Sequence, residues 1–152
     1  MVNTTLCYIE RDGEYLMIHR VKKKNDMNHD KWIGVGGKFE GGESPFDCAR
    51  REILEETGVK VTDLKYRGIV TFVSDEFGTE YMHLFTAKKY IGEIDYNCDE
   101  GRLEWVKKER VRELPIWEGD KIFLDLLDTE DRFFSLKLEY EGDRLVSHTL
   151  EI

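Results

Sequence analysis

The sequence predicts an α/β sandwich, and three observations predict it. Ser44 to Gly58 carries helix signals at both ends. Most of the remaining chain runs in β-branched and aromatic stretches separated by short Gly- and Asp-containing turns. A second helical pattern follows near Trp117. With 152 residues, 40% of them hydrophobic, the chain suits one domain, residues 1–152, with a core of its own.

Thr4 to Glu10 and Glu14 to Arg20 are strand-like, joined by the turn Arg11-Asp12-Gly13, and are expected to form one edge of the fold. Val21 to Lys31 reads as an exposed loop; its Lys22-Lys23-Lys24 run is either a solvated charge cluster or an attraction for a triphosphate. Trp32 to Gly37 is an apolar, glycine-rich approach to the next helix. In that helix, expected over Pro45 to Thr57, Ser44 is the N-cap, Pro45 suits the first position, Asp47 completes a capping-box pattern and Gly58 suits a left-handed stop. Val61 to Ser74, Tyr81 to Tyr90 and Arg102 to Val106 are further strands. Lys108 to Leu114 and Trp117 to Leu127 are helical, and Phe133 to Tyr140 and Arg144 to Ile152 form a hairpin around Glu141-Gly142-Asp143.

A net charge of −9 argues against a general binder of polymeric nucleic acid, which would display a basic face, but an acidic protein binds nucleotide phosphates through a bridging cation. Cys7, Cys48 and Cys98 lack metal-ligand spacing and follow no apolar leader, which points to reduced thiols in a cytoplasmic protein, with Cys48 as small buried packing. No run approaches the length of a membrane span, so no membrane partner is expected. The four histidines are scattered and read as strand or loop residues.

The chemistry concentrates on the 45–57 helix. At about 100° per residue, Glu52, Glu55 and Glu56 share one narrow sector, where like charges repel and push a pKa upward. Either this is a solvated acidic face or a divalent cation relieves it; Mg2+ is the natural one, a hard ion that takes oxygen ligands together with substrate phosphates, and Mn2+ is the alternative. The turns at Gly36-Gly37-Lys38 and Gly41-Gly42 let backbone approach a phosphate or metal closely, with Lys38 adding a mobile positive charge.

Gly37, five residues, Glu43, seven residues, then Arg51-Glu52-Ile53-Leu54-Glu55-Glu56-Thr57-Gly58-Val59 resembles the full signature of the Nudix hydrolases. The resemblance implies a Nudix-type α/β/α sandwich, a mixed β-sheet with flanking helices, and metal-assisted attack of water on a nucleoside diphosphate linked to another group. It implies Glu55 and Glu56 as the main metal ligands, Glu52 as ligand or base, the Gly37 carbonyl as a further ligand, and Arg51 with Glu43 as a structural pair. Glu100 is a further catalytic or metal-binding candidate, in a segment that also reads as an ordinary turn.

Beyond the signature, the Trp32–Lys38 lead-in, Phe72, the Leu114–Asp120 segment and the hairpin tail resemble the MutT/MutX type, which acts on oxidised purine nucleotides. That implies Trp117 stacking on the base and Asp120 binding the purine edge, each also readable as a core Trp and an N-cap-like acid. Lys38, Phe72 and Ile33 complete the substrate-binding set, with Tyr81 and Met82 as further pocket or core residues. Ile33 and Gly119 depart from the mammalian pattern, which has Asn and a second Asp there. The expected substrate is 8-oxo-dGTP, hydrolysed to monophosphate and pyrophosphate. Another nucleotide (a canonical dNTP, a dinucleoside polyphosphate or ADP-ribose) and a non-catalytic nucleotide-sensing module are the competing readings, and monomer or dimer is left open.

Overall fold

The computed structural model describes residues 1–22 and 25–152. Its chain begins with strands β1 (Val2–Arg11) and β2 (Glu14–His19), linked by a tight turn in which Asp12 and Gly13 both have positive φ, the mirror-image geometry that matches strand twist. The short β3 (Trp32–Ile33) leads to α1 (Pro45–Thr57). Both ends of α1 are closed by local chemistry: the Ser44 hydroxyl accepts from the Asp47 amide, Asp47 accepts from the Ser44 amide, and Gly58 stops the helix at φ 81°. After it come β4 (Lys60–Val61), β5 (Lys65–Ser74), β6 (Gly78–Ala87), β7 (Tyr90–Ile91), β8 (Asn97–Cys98), β9 (Gly101–Lys107), α2 (Lys108–Val111), α3 (Asp120–Thr129), β10 (Phe134–Glu141) and β11 (Arg144–Glu151).

The main sheet runs β11-β10-β5-β6-β1-β2-β9-β8, with β3 on β2. It is mixed: β1 lies parallel to β6 and β10 parallel to β5, and its other pairs are antiparallel. β1 and β2 are therefore central, contrary to the edge position expected of them. Both faces of β1 are buried from Thr4 to Ile9, because Leu6 and Tyr8 enter one core and Cys7 and Ile9 the other. The first core holds Phe72, Leu84, Leu136 and Leu138 against Phe123, Leu124 and Leu127 of α3; the second holds Leu16, Ile18 and Phe85 against Ala49 and Ile53 of α1. Helices thus cover both faces of a mixed sheet, an α/β/α sandwich.

Three other expectations change. The 61–74 stretch is broken between β4 and β5, where the Asp63 carboxylate accepts from the Lys88 and Lys89 amides at 2.9–3.0 Å. The helix expected from Lys108 to Leu114 is a single turn. Trp117 lies outside α3, which starts only at Asp120; Gly119 takes the cap position with its amide donating to the Tyr140 hydroxyl at 2.7 Å, and Asp120 makes no side-chain cap bond.

Candidate active site

The sheet parts where β2 leaves β1 after Ile9, and the Val35–Lys38 segment fills the opening, bridging Cys7 to Val35 and Thr4 to Lys38. Thr5 N–H donates to the Gly37 carbonyl at 2.9 Å. A Cβ on Gly36 would overlap the Thr5 carbonyl, so only glycine lets the two backbones meet. This segment lies on the floor of a cleft of about 970 Å³ and delivers it to the acidic face of α1.

Arg51 organises that face. Its Nε and Nη2 donate to the two oxygens of Glu43 at 2.7 and 2.9 Å, Nη2 also donates to the Lys38 carbonyl at 3.0 Å, and Nη1 donates to Glu52 at 2.8 Å and Glu55 at 3.2 Å. The paired guanidinium holds the Glu43 carboxyl down to about 2, helped by the Glu40 amide. Glu55 is drawn out to the rim, its side chain 57% exposed, whereas Glu52 and Glu56 turn inward. Arg51, one turn earlier, gathers Glu52 and Glu55 on one Nη1, while Glu56 turns to the Gly36 amide, so the three carboxylates do not meet at one point.

Glu56 is the unusual member. Its Oε1 accepts from the Gly36 amide at 3.2 Å, while Oε2 is buried with no hydrogen-bond partner. Burial pushes its carboxyl well above the usual carboxylate range, and the charges of Glu100 and Glu52 push it further, against the pull of Arg20. Arg20 and Asp26 were not foreseen. Arg20 donates through Nε to Asp26 at 2.7 Å and pairs through Nη1 with Glu100 at 2.7 Å, bringing the Glu100 turn to the cleft. Among the described residues no three His, Cys, Asp or Glu side chains stand in a preformed grip on an ion. The donor set nevertheless fits a hard divalent cation: it is all oxygen, crowded with negative charge, and includes one buried oxygen lacking a partner. Glu52, Glu55, Glu56 and Glu100 are the side chains that would hold it. The Gly37 carbonyl accepts from the Thr5 amide at 2.9 Å and from the Cys48 thiol at 3.6 Å, and Glu55 is the most exposed of the helix glutamates.

Gly37 sets the position of Glu52, since a Cβ there would lie about 2.5 Å from the Glu52 carboxyl carbon. Gly37→Ala is expected to fold normally, because the clash is with the far end of a flexible side chain. It should lower kcat/KM about 100-fold by displacing that carboxylate about 1 Å; parallel melting curves and steady-state kinetics check both halves.

At the other end the cleft is lined by Ile33, Met27, Phe72, Met82 and Trp117, with Asp120 and Glu80 as its acids. Trp117 is both core and wall. It is 4% exposed, donates through Nε1 to the Asn28 side chain at 2.8 Å, meets Phe72 edge-on at 5.3 Å, and has the Lys31 ammonium 4.5 Å from its ring centroid. Phe72 stacks on Tyr140 at 4.7 Å. Tyr81 points to the opposite sheet face from Glu80 and Met82 and does not line the cleft. Burial pushes Asp120 up to about 8, with Glu80 adding to the shift and Lys31 opposing it. An acid at Gly119 would require Leu138 and Tyr140 to shift, since a Cβ would meet a Leu138 methyl at 2.5 Å and the Tyr140 hydroxyl at 2.7 Å.

Lys38 is exposed where the two ends join. Of the lysine run, Lys23 and Lys24 lie outside the described residues, and Lys22 donates to the Cys98 carbonyl. The loop expected to be simply exposed contributes Asp26, Met27 and Asn28 to the cleft. Asp26 turns the chain inward by accepting from the Asn28 amide at 3.2 Å.

Known proteins agree with this architecture. A MutT protein structure from Bacillus halodurans superposes with a TM-score of 0.87 at 31% identity, covering 99% of this chain and 98% of that one. The oxidized purine nucleoside triphosphate hydrolase of Danio rerio is 34% identical over 152 residues, 97% of this chain and 92% of the relative. The Bacillus subtilis (strain 168) Nudix hydrolase YvcI is 31% identical over 127 residues, 81% of this chain and 77% of the relative. The family model described as NUDIX domain matches residues 2–127, from the first strand through the signature helix to α3, and the chain is accordingly a Nudix hydrolase of MutT-like architecture.

Proposed function

We propose that this enzyme hydrolyses an oxidised purine deoxynucleoside triphosphate, 8-oxo-dGTP first among them, to the monophosphate and pyrophosphate, with Mg2+ or Mn2+. The observation that carries the proposal is the continuity of one cleft from Glu52 and Glu100, with Glu56 behind them on the Gly36 amide, to the aromatic Phe72–Trp117 wall with Asp120. Its volume of about 970 Å³ suits a whole nucleotide.

The divalent ion, when bound, neutralises phosphate charge and lowers the pKa of the attacking water. The chain's own residues do the rest. Trp117 and Phe72 wall the base, and Asp120, protonated at neutral pH, offers an O–H to a purine carbonyl and accepts the adjacent N–H. Lys38 faces the phosphates. Arg51 fixes Glu43, Glu52 and the Lys38 carbonyl, so that the loop and α1 keep their spacing. A carboxylate of the Glu52–Glu56 pair takes the proton of the water whose oxygen bonds to phosphorus, as the bond from that phosphorus to the bridging oxygen breaks and pyrophosphate leaves. The three free thiols, Cys7, Cys48 and Cys98, all buried, support a cytoplasmic setting. Among the described residues no helix is long and apolar enough to cross a membrane.

Purified protein with Mg2+ and equal concentrations of 8-oxo-dGTP, dGTP, dATP and ADP-ribose, with products separated by chromatography, tests the reading. Pyrophosphate with 8-oxo-dGMP as the preferred product pair is the expected result. Equal turnover of 8-oxo-dGTP and dGTP overturns the substrate assignment, and no pyrophosphate from any nucleotide overturns the hydrolysis.

A further inference from the structure

Glu80 is a carboxylate on the buried phase of a strand. In β6 it shares a face with Met82 and Leu84, which point into the apolar core, and it stands directly across β5 from Phe72. Phe72 meets Trp117 edge-on, and the Asp120 amide donates to the Trp117 carbonyl at 3.0 Å. The aromatic wall of the cleft therefore has two acids beside it, Glu80 and Asp120, near enough for the charge of Glu80 to oppose ionisation of Asp120. One oxygen of Glu80 is fixed by the Thr4 hydroxyl at 2.7 Å, and the residue lines the cleft. Burial raises the pKa of Glu80, and the Thr4 hydroxyl and the Lys38 ammonium oppose that rise. A charged acid so placed on an apolar strand face costs stability unless a ligand donor meets it.

We propose that Glu80 is the residue by which this cleft tells an oxidised purine from an ordinary one: its carboxylate accepts the N7–H that 8-oxopurines carry and repels the N7 lone pair that ordinary purines present. The proposal rests on the nucleotide reading of the cleft and deepens it. With Asp120 engaged on the carbonyl and N–H shared by guanine and 8-oxoguanine, the two bases differ only at the N7–C8 edge, and N7 lies directly beside that carbonyl, so the group that reads it stands near Asp120, as Glu80 does. A carboxylate is acceptor-only, so at that edge it rewards the N–H and penalises the lone pair; an amide tolerates both.

Calorimetric titration of the metal-free protein with 8-oxo-dGMP and dGMP tests this without turnover. The wild type is expected to prefer 8-oxo-dGMP. Glu80→Gln should cut that preference about 10- to 100-fold, mainly by binding 8-oxo-dGMP less tightly and dGMP as well as before or better. Thr4→Val, which frees the carboxylate without removing it, should cut the preference in the same direction by a smaller factor and serves as the second variant. A ratio that stays within twofold of wild type in both variants overturns the proposal. So does an equal loss for both nucleotides in both variants, which is the signature of a structural role, or a wild type that binds neither or shows no preference. A wild type that prefers 8-oxo-dGMP, loses the preference in Glu80→Gln, and releases no pyrophosphate from 8-oxo-dGTP upholds this inference and overturns the hydrolysis. Brisk turnover with an unchanged binding ratio in both variants does the reverse.

Discussion

Glu56→Gln is expected to abolish turnover, by about 1,000-fold or more in kcat, while the metal-free protein melts at or above the wild-type temperature. The two effects have one cause. Glu56 is 6% exposed, with one oxygen on the Gly36 amide and the other unpartnered, beside Glu52 and within the field of Glu100. Such a carboxylate is unfavourable when charged and alone, and the proposed cation would relieve it. Glutamine keeps the shape, still accepts from Gly36, and presents an amide donor toward Glu52. It therefore removes a penalty from the metal-free fold and a ligand from the working enzyme. Melting curves with and without Mg2+, beside a pyrophosphate-release assay, separate these. A variant with near-wild-type rate would remove Glu56 from the mechanism.

Asp120 carries the second large effect, on stability against pH. Its folded-state pKa, about 8, stands above the ordinary 3.8, with burial as the main cause; Glu80, Tyr8 and Tyr140 face it as acidic groups and Lys31 as the opposing cation. Between those two values the unfolded chain releases the proton and the folded chain keeps it, so stability falls as pH rises from about 4 toward 8 and levels off above that. Asp120→Asn removes this contribution. Relative to the variant, the wild type is expected to lose stability from pH 6 to pH 8 by at most roughly 3 kcal/mol, or about 9 °C in Tm, the difference cancelling the slopes of Glu56 and Glu80. Parallel pH dependence in the two proteins would show that Asp120 is ionised in the fold.

What could be read from the residues was what is local. Ser44, Pro45, Asp47 and Gly58 specify α1 to its last residue because a cap is settled within four positions. Strand positions were legible, but their order was not: nothing in Val2–Arg11 announces a parallel partner at Gly78–Ala87. The 117–127 periodicity overran the start of α3 because Trp117 is held by Asn28 and Gly119 by Tyr140, both remote in sequence. The same holds at the site. The signature acids and Arg51 are visible by spacing, whereas Arg20, Asp26 and Glu80 become site residues only through tertiary contact. One clue was present for Glu80, an acid in phase with Met82 and Leu84 on a strand that otherwise buries that face.

The parallel pairing of β1 with β6 also sets how this enzyme comes into being. Thr4 and Glu80 are 76 positions apart, and β10 reaches back to β5 from the far side of α3. A topology of such high contact order closes long loops before any contact rewards them, which places folding in the slower range of small domains, milliseconds to seconds. On the ribosome, α1 with its row of acids emerges well before the strand that walls the base, so a nascent chain displays its charged helix long before it owns a cleft.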